Sequence, residues 1–312
     1  MEVLGARLAG MAGTSPPPVP TPAVVAVFAA DHGVVAEGVT PWPAEVTAQM
    51  VANFCAGGAA ISVLARHAGA SVVVVDVGVQ APLDDHPALI RAKVRPGSAN
   101  LAEGPAMSPD ECRTALDVGA TLARELVADG ARCLVTGDMG IGNTTAAAAV
   151  IASLCHHGAA EVTGRGTGID DEMLVRKTAV VDSAVARLGP NASPLDVLAE
   201  VGGLEIAALA GFIVGGAAAR VPVIVDGVIS GAALAVAAAV APLCVGYCIA
   251  GHRSSEPGAT AVLRHVGLDP VLDMGLRLGE GTGACLALPI VQASAKILRE
   301  MATFDSAGVT EK

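Results

Sequence analysis

The sequence predicts an α/β fold, a doubly wound and mostly parallel Rossmann-like sheet with a small helical domain formed from the chain termini. Three observations carry that expectation. Short aliphatic runs alternate with helical stretches along the 312 residues. The runs are continuously apolar, as strands buried on both faces require. Each run ends in a polar or glycine-rich loop, at the strand end where open α/β sheets bind ligands. Hydrophobic residues make up 53% of the chain and aromatics only 2%, so the core must be built from Ala, Val, Leu and Ile. The expected partition is 1–22 as an N-terminal helix and Pro-rich connector, 23–284 as the large Rossmann-like domain, and 285–312 as a C-terminal helix that joins the first in the small domain.

Leu4, Leu8 and Met11 recur at helical spacing, so residues 1–13 read as a helix; the five prolines of 14–22 force an extended connector. Residues 24–28 form the first strand and deliver Asp31, His32 and Gly33 at its carboxyl end. Residues 45–68 are helical, broken at Gly57 and Gly58, and 71–77 are a second strand. Residues 80–110, polar and proline-containing, read as a surface excursion. Ser108-Pro109-Asp110-Glu111 is a capping box with proline at the first helical position, opening a helix to about Ala128. Residues 133–136 are a third strand, 202–219 a Gly- and Ala-rich helix, 221–225 a fourth strand ending in Asp226, 245–250 a fifth and 271–274 a short sixth. Residues 285–304 are an amphipathic helix expected to pack on the N-terminal one.

The formal net charge is −11 with no basic cluster, which argues against nucleic acid as a partner. It leaves room for a small anion, because backbone amides bind anions whatever the net charge. Seven cysteines include no Cys-x-x-Cys pair and no zinc-site spacing, and they read as reduced, mostly buried thiols of a cytoplasmic protein. No metal or cofactor is called for, and residues 1–13 do not resemble a signal peptide. Residues 228–251 carry no charge over a length that could span a bilayer. Their Ala- and Gly-rich composition and Pro242 favour a buried soluble stretch, with the membrane span as the alternative.

Three glycine-rich loops carry candidate chemistry. Gly137 to Thr145 feeds a helix start, and unpaired N–H groups there suit a phosphate or carboxylate, the other reading being an unadorned cap. Gly164-Arg165-Gly166-Thr167-Gly168 is a second such loop, followed by Arg176 and Lys177, which taken separately read as solvated surface charges. In Leu278 to Gly283 one carboxylate, Glu280, stands among three glycines before an apolar run. Burial there would raise its pKa towards that of a general base; a surface glutamate in a helix entry is the competing reading.

The segments 28–34 (FAADHGV), 137–145 (GDMGIGNTT), 251–258 (GHRSSEPG) and 277–284 (RLGEGTGA) occur in the order found in nicotinate-nucleotide–dimethylbenzimidazole phosphoribosyltransferases, and the chain resembles that family over about residues 4–306. The resemblance implies transfer of phosphoribose from nicotinate mononucleotide to 5,6-dimethylbenzimidazole in cobalamin synthesis, giving α-ribazole 5′-phosphate and nicotinate with inversion at C1′. It implies Glu280 as general base and Asp138 as a second catalytic carboxylate. The nucleotide would be held by Gly142, Asn143, Thr144, Thr145, Gly164, Gly166, Thr167, Gly168, Lys177, Ser254 and Ser255. The base pocket would comprise Asp31, His32, Thr40, Trp42, Ala44, Met274 and Leu278. A homodimer, no cofactor, no nucleic acid and no membrane are also implied.

Three departures accompany the resemblance. Many relatives have glutamate where this chain has Asp138. Relatives often read Ser-Ala-Tyr-Pro-Gln where this chain has Thr40-Pro41-Trp42-Pro43-Ala44, so the preferred base could differ, and Trp42 reads equally as a stacking platform or as core. Relatives also begin earlier, which implies a start further upstream or a reduced small domain. A catalytically weak homologue that binds a nucleotide or an azole is the alternative function.

Overall fold

Eight consecutive residues, Ala23–Ala30, form a strand in which every side chain is buried (β1). Val24, Ala26, Phe28 and Ala30 face one apolar cluster, while Val25, Val27 and Ala29 face another. A strand with two dry faces must be covered by helices on both sides, and that requirement organises the chain. Each Val or Phe so buried stabilises the fold by about 1.5–3 kcal/mol relative to exposure.

A computed structural model describes residues 1–310, so the last two residues of the expected 285–312 segment lie outside the described residues. The helices and strands before the chain midpoint are α1 (Glu2–Ala12), β1, α2 (Glu45–Cys55), α3 (Ala60–Ala68), β2 (Ala70–Gly78), β3 (Leu89–Arg91), α4 (Pro109–Ala128), β4 (Cys133–Met139) and α5 (Asn143–Leu154). After it come α6 (Ala159–Val162), α7 (Asp171–Ala186), α8 (Pro194–Val201), α9 (Leu204–Ala218), β5 (Val223–Val225), α10 (Val228–Val240), β6 (Cys248–Ala250), α11 (Pro257–Val266), α12 (Thr282–Glu300) and α13 (Phe304–Ala307). The strands form one six-stranded, all-parallel sheet in the order β3-β2-β1-β4-β5-β6. The order reverses between β1 and β4, and the crevice beyond their carboxyl ends is where a doubly wound sheet takes its ligand.

One face is covered by α4, α5, α8, α9 and α10. There α4 and α9 touch backbone to backbone: a methyl on Gly119 or Gly211 would strike the carbonyl of Ala208 or Leu116. Phe28 meets Phe212 edge-on at 5.3 Å between ring centres. On the other face α1 packs on α12 as expected, and Leu8, Met11, Leu288 and Val291 share a cluster with Val25, Val27 and Val135 of the sheet. The terminal helices thus form part of the second layer. All seven cysteines are free thiols, and six are buried.

Several expectations change in detail. Residues 80–110 are not only a surface excursion: they contain edge strand β3, and Leu101, Ala106 and Met107 are buried. Residues 271–274 do not make a strand, since Pro270 and the left-handed Gly275 bracket them and leave a single bridge, His252 to Leu272. β4 runs on to Met139, so Asp138 belongs to a strand. β6 is short because a 3-10 turn, Pro242–Tyr247, occupies the residues before it. The 228–251 segment divides into the 13-residue α10, that turn and β6, and no single helix of spanning length exists there. Helix α8 had a readable signal in Ser193-Pro194-Leu195-Asp196, a capping box like that of Ser108, and both boxes form.

Candidate active site

A cavity of about 440 Å³ opens at the carboxyl ends of the central strands. Its lining includes the apolar Trp42, Val46, Met50, Met139, Ile141 and Leu278 and the polar Asp138, Asn143, Thr144, Ser254, Glu256 and Glu280.

Glu280 has φ 63°, and its neighbours Gly279 and Gly281 have φ 79° and 91°. Three left-handed residues in a row make a sharp turn that only glycines beside the carboxylate permit. A left-handed glutamate is uncommon and is held here by its surroundings. Asp226 does much of the holding: its Oδ1 accepts the Ala284 N–H (2.9 Å), its Oδ2 the Gly281 N–H (3.3 Å). Its own N–H donates to Thr136 Oγ1 at 3.0 Å. Asp226 thus fixes the turn from its place at the end of β5. Glu280 Oε2 accepts the Ile61 N–H (3.1 Å) in the first turn of α3. Burial, with Asp226 nearby, raises its pKa above the ordinary carboxylate value, and the Ile61 bond only partly offsets that rise.

Asp138 is buried and accepts from Asn143 Nδ2 at 3.0 Å. Burial first, then the Asp226 and Glu205 carboxylates, push its pKa well above the usual range, which favours its protonated form. His252 also lines the cavity, with Nε2 3.3 Å from Asp226 Oδ1, and its ring packs on Gly283.

Helix α5 starts behind left-handed Gly142, with Ile141 N–H donating to Thr47 Oγ1 at 3.1 Å. Thr144 lines the cavity and accepts a 2.9 Å bond from Lys177 Nζ, which also donates to Gly164 O at 3.0 Å. Lys177 is therefore not the solvated charge its sequence neighbours suggested: it is 1% exposed, and burial pulls its pKa down to about 8. Arg176 is exposed, as expected. Gly166 and Thr167 line the cavity, while Gly142, Thr145, Gly164, Gly168 and Lys177 do not.

The structure brings Glu280, Asp138, Asn143, Thr144, Gly166, Thr167, Ser254, Trp42 and Leu278 together around one cavity. It does not bring Asp31 and His32 there. His32 Nε2 lies 2.7 Å from Glu205 Oε1 and Nδ1 3.3 Å from Ser98 Oγ, while Asp31 Oδ2 accepts the Gln80 N–H at 2.8 Å. His32 and one carboxylate oxygen of Asp31 find partners inside the fold at the end of β1, Asp31 Oδ1 is buried without one, and neither residue lines the cavity in which the base pocket was expected. Ser255 is exposed and outside the lining, its backbone N–H donating to Leu276 O, Met274 is 65% exposed, and Thr40 and Ala44 also lie outside the lining, with Thr40 Oγ1 accepting the Trp42 N–H. Sequence reasoning passed over Glu256, His252 and Arg277, all within the quoted motifs, and the apolar Val46, Met50 and Ile229, whose residue types carry no signal.

A family model described as Phosphoribosyltransferase (DBI_PRT) matches residues 1–309. A Salinispora tropica protein named nicotinate-nucleotide–dimethylbenzimidazole phosphoribosyltransferase is 56% identical, over 100% of this chain and 90% of its own length. A protein of the same name from Chloroflexus aurantiacus is 55% identical, over 100% and 89%. The crystal structure of CobT from Thermus thermophilus superposes with a TM-score of 0.97 at 51% identity, covering 100% of this chain and 93% of that one.

Proposed function

The chain belongs to the nicotinate-nucleotide–dimethylbenzimidazole phosphoribosyltransferase family, an enzyme family of cobalamin lower-ligand synthesis, and from that premise we propose that it transfers phosphoribose from nicotinate mononucleotide to 5,6-dimethylbenzimidazole or a related azole with Glu280 as general base. The bond from C1′ to the nicotinate nitrogen breaks, and its electron pair neutralises the pyridinium, so the leaving group departs neutral at nitrogen. The unprotonated imidazole nitrogen forms the new bond to C1′ from the opposite face, which inverts the centre and gives an α-riboside. As that bond forms, the other imidazole nitrogen loses its proton to Glu280. Holding both reactants in line supplies much of the rate by orientation.

The observation that carries this reading is Glu280 itself, a carboxylate in a cavity whose lining also includes apolar side chains, with its pKa raised by burial. A raised pKa makes a better proton acceptor, provided the pH lies above it. Trp42, Met50 and Leu278 offer a flat bicyclic base an apolar seat, and the α5 start with Thr144 and Lys177 offers the phosphate donors. Asp138, its pKa raised by burial, is proposed to face the ribose or the bases. Glu280→Gln should lower kcat by about 10²–10⁴-fold and leave nicotinate mononucleotide affinity nearly unchanged. The measurement is benzimidazole-dependent nicotinate release; wild-type turnover by the variant would overturn the base assignment.

A further inference from the structure

Glu256 lines the cavity, is 7% exposed, and stands at the start of α11 without capping it. Its Oε1 accepts the Gly166 N–H at 2.8 Å. An N–H of the second glycine-rich loop is therefore already taken by a carboxylate, which changes what that loop can offer a substrate. Glu256 Oε2 accepts no hydrogen bond from any described residue and lies over the bare Cα of Gly164, where a methyl group would collide. Lys177 Nζ, close enough to feel this charge, spends its bonds on Thr144 and Gly164 instead.

A carboxylate with one oxygen fixed and one free repels phosphate and accepts from a hydroxyl. On nicotinate mononucleotide the phosphate and the ring carboxylate are anionic, and the hydroxyl donors are those at C2′ and C3′ of the ribose. We infer that Glu256 is a specificity-determining residue that accepts a hydrogen bond from the ribose diol, so that the site selects ribonucleotide over deoxyribonucleotide donors. The inference rests on the phosphoribosyl reading above and assigns the 164–168 loop a second duty, that of orienting Glu256 through Gly166. The phosphate is left to the α5 start and Lys177.

Calorimetric titration of the whole chain with nicotinate mononucleotide and its 2′-deoxy and 3′-deoxy analogues tests this without needing turnover. At least one deoxy analogue should bind the unmodified protein about 10–100-fold more weakly, as expected for losing a hydrogen bond to a charged acceptor. In Glu256→Gln, whose amide oxygen can still receive the Gly166 N–H, that ratio should shrink about tenfold. Equal affinity of the unmodified protein for all three ligands would overturn the inference, as would an unchanged ratio in the variant or no binding of the mononucleotide at all. Turnover assayed in parallel separates the two readings. Discrimination without turnover fails the transferase reading alone, and turnover without discrimination fails the Glu256 inference alone.

Discussion

A lysine buried to 1% exposure, with a hydroxyl and a carbonyl as its partners, holds its proton weakly. The Lys177 pKa near 8 lies below its ordinary 10.5, so the charge that would meet a phosphate is lost just above neutral pH. Nucleotide affinity should fall as pH rises through about 8, and Lys177→Met should weaken binding at pH 7 and remove the step; titrations across pH 6.5–9 check this. The sign for stability is the opposite. Between about 8 and 10.5 the folded state binds fewer protons than the unfolded one, so this residue alone makes stability rise with pH there. At this scale the sequence was readable where a residue sits in a glycine-rich loop: Thr144 and Glu280, singled out there, both line the cavity. It misled at Asp31 and His32, because a polar pair after a strand looks alike whether it meets a ligand or, as here, a second strand end and a buried glutamate.

The turn Gly279-Glu280-Gly281 does its work as an element, joined to the start of α12 and tied down by Asp226. Gly281 combines φ 91° with a wall, since an added methyl would stand 2.8 Å from Thr136 O. Gly281→Ala should therefore cost about 1–3 kcal/mol of stability and lower kcat by displacing Glu280, with a smaller effect on nucleotide affinity. Denaturant melts and steady-state kinetics, read together, check both halves. Strand and helix positions were legible because aliphatic runs and capping boxes are local signals: the Ser108 box forms as expected, and the Ser193 box, not read from the sequence, forms in the same way. Strand β3 was not: its three residues, Leu89–Arg91, are partly exposed and pair through backbone bonds to β2, which leaves no apolar run to read.

For the molecule as a whole, the sequence indicated a parallel sheet with ligand loops at one end, but not the strand order. That order depends on which helix covers which face, and no local run of residues states it; Gly119 and Gly211, for instance, let α4 and α9, far apart in the chain, close on one another. The reversal between β1 and β4 then gathers loops from distant parts of the chain, Trp42 from one end and Glu280 from the other. A core so poor in aromatics has an optical consequence. Trp42 is the only tryptophan among 312 residues, it is 49% exposed, and it stands on the cavity wall. Intrinsic emission excited near the red edge of indole absorption therefore reports one place alone. It should shift to shorter wavelength, or be quenched, when a benzimidazole stacks there, and stay still for a ligand confined to the Lys177 end. The same property makes tryptophan emission a poor witness to global unfolding, because it follows whatever frees the segment around residue 42.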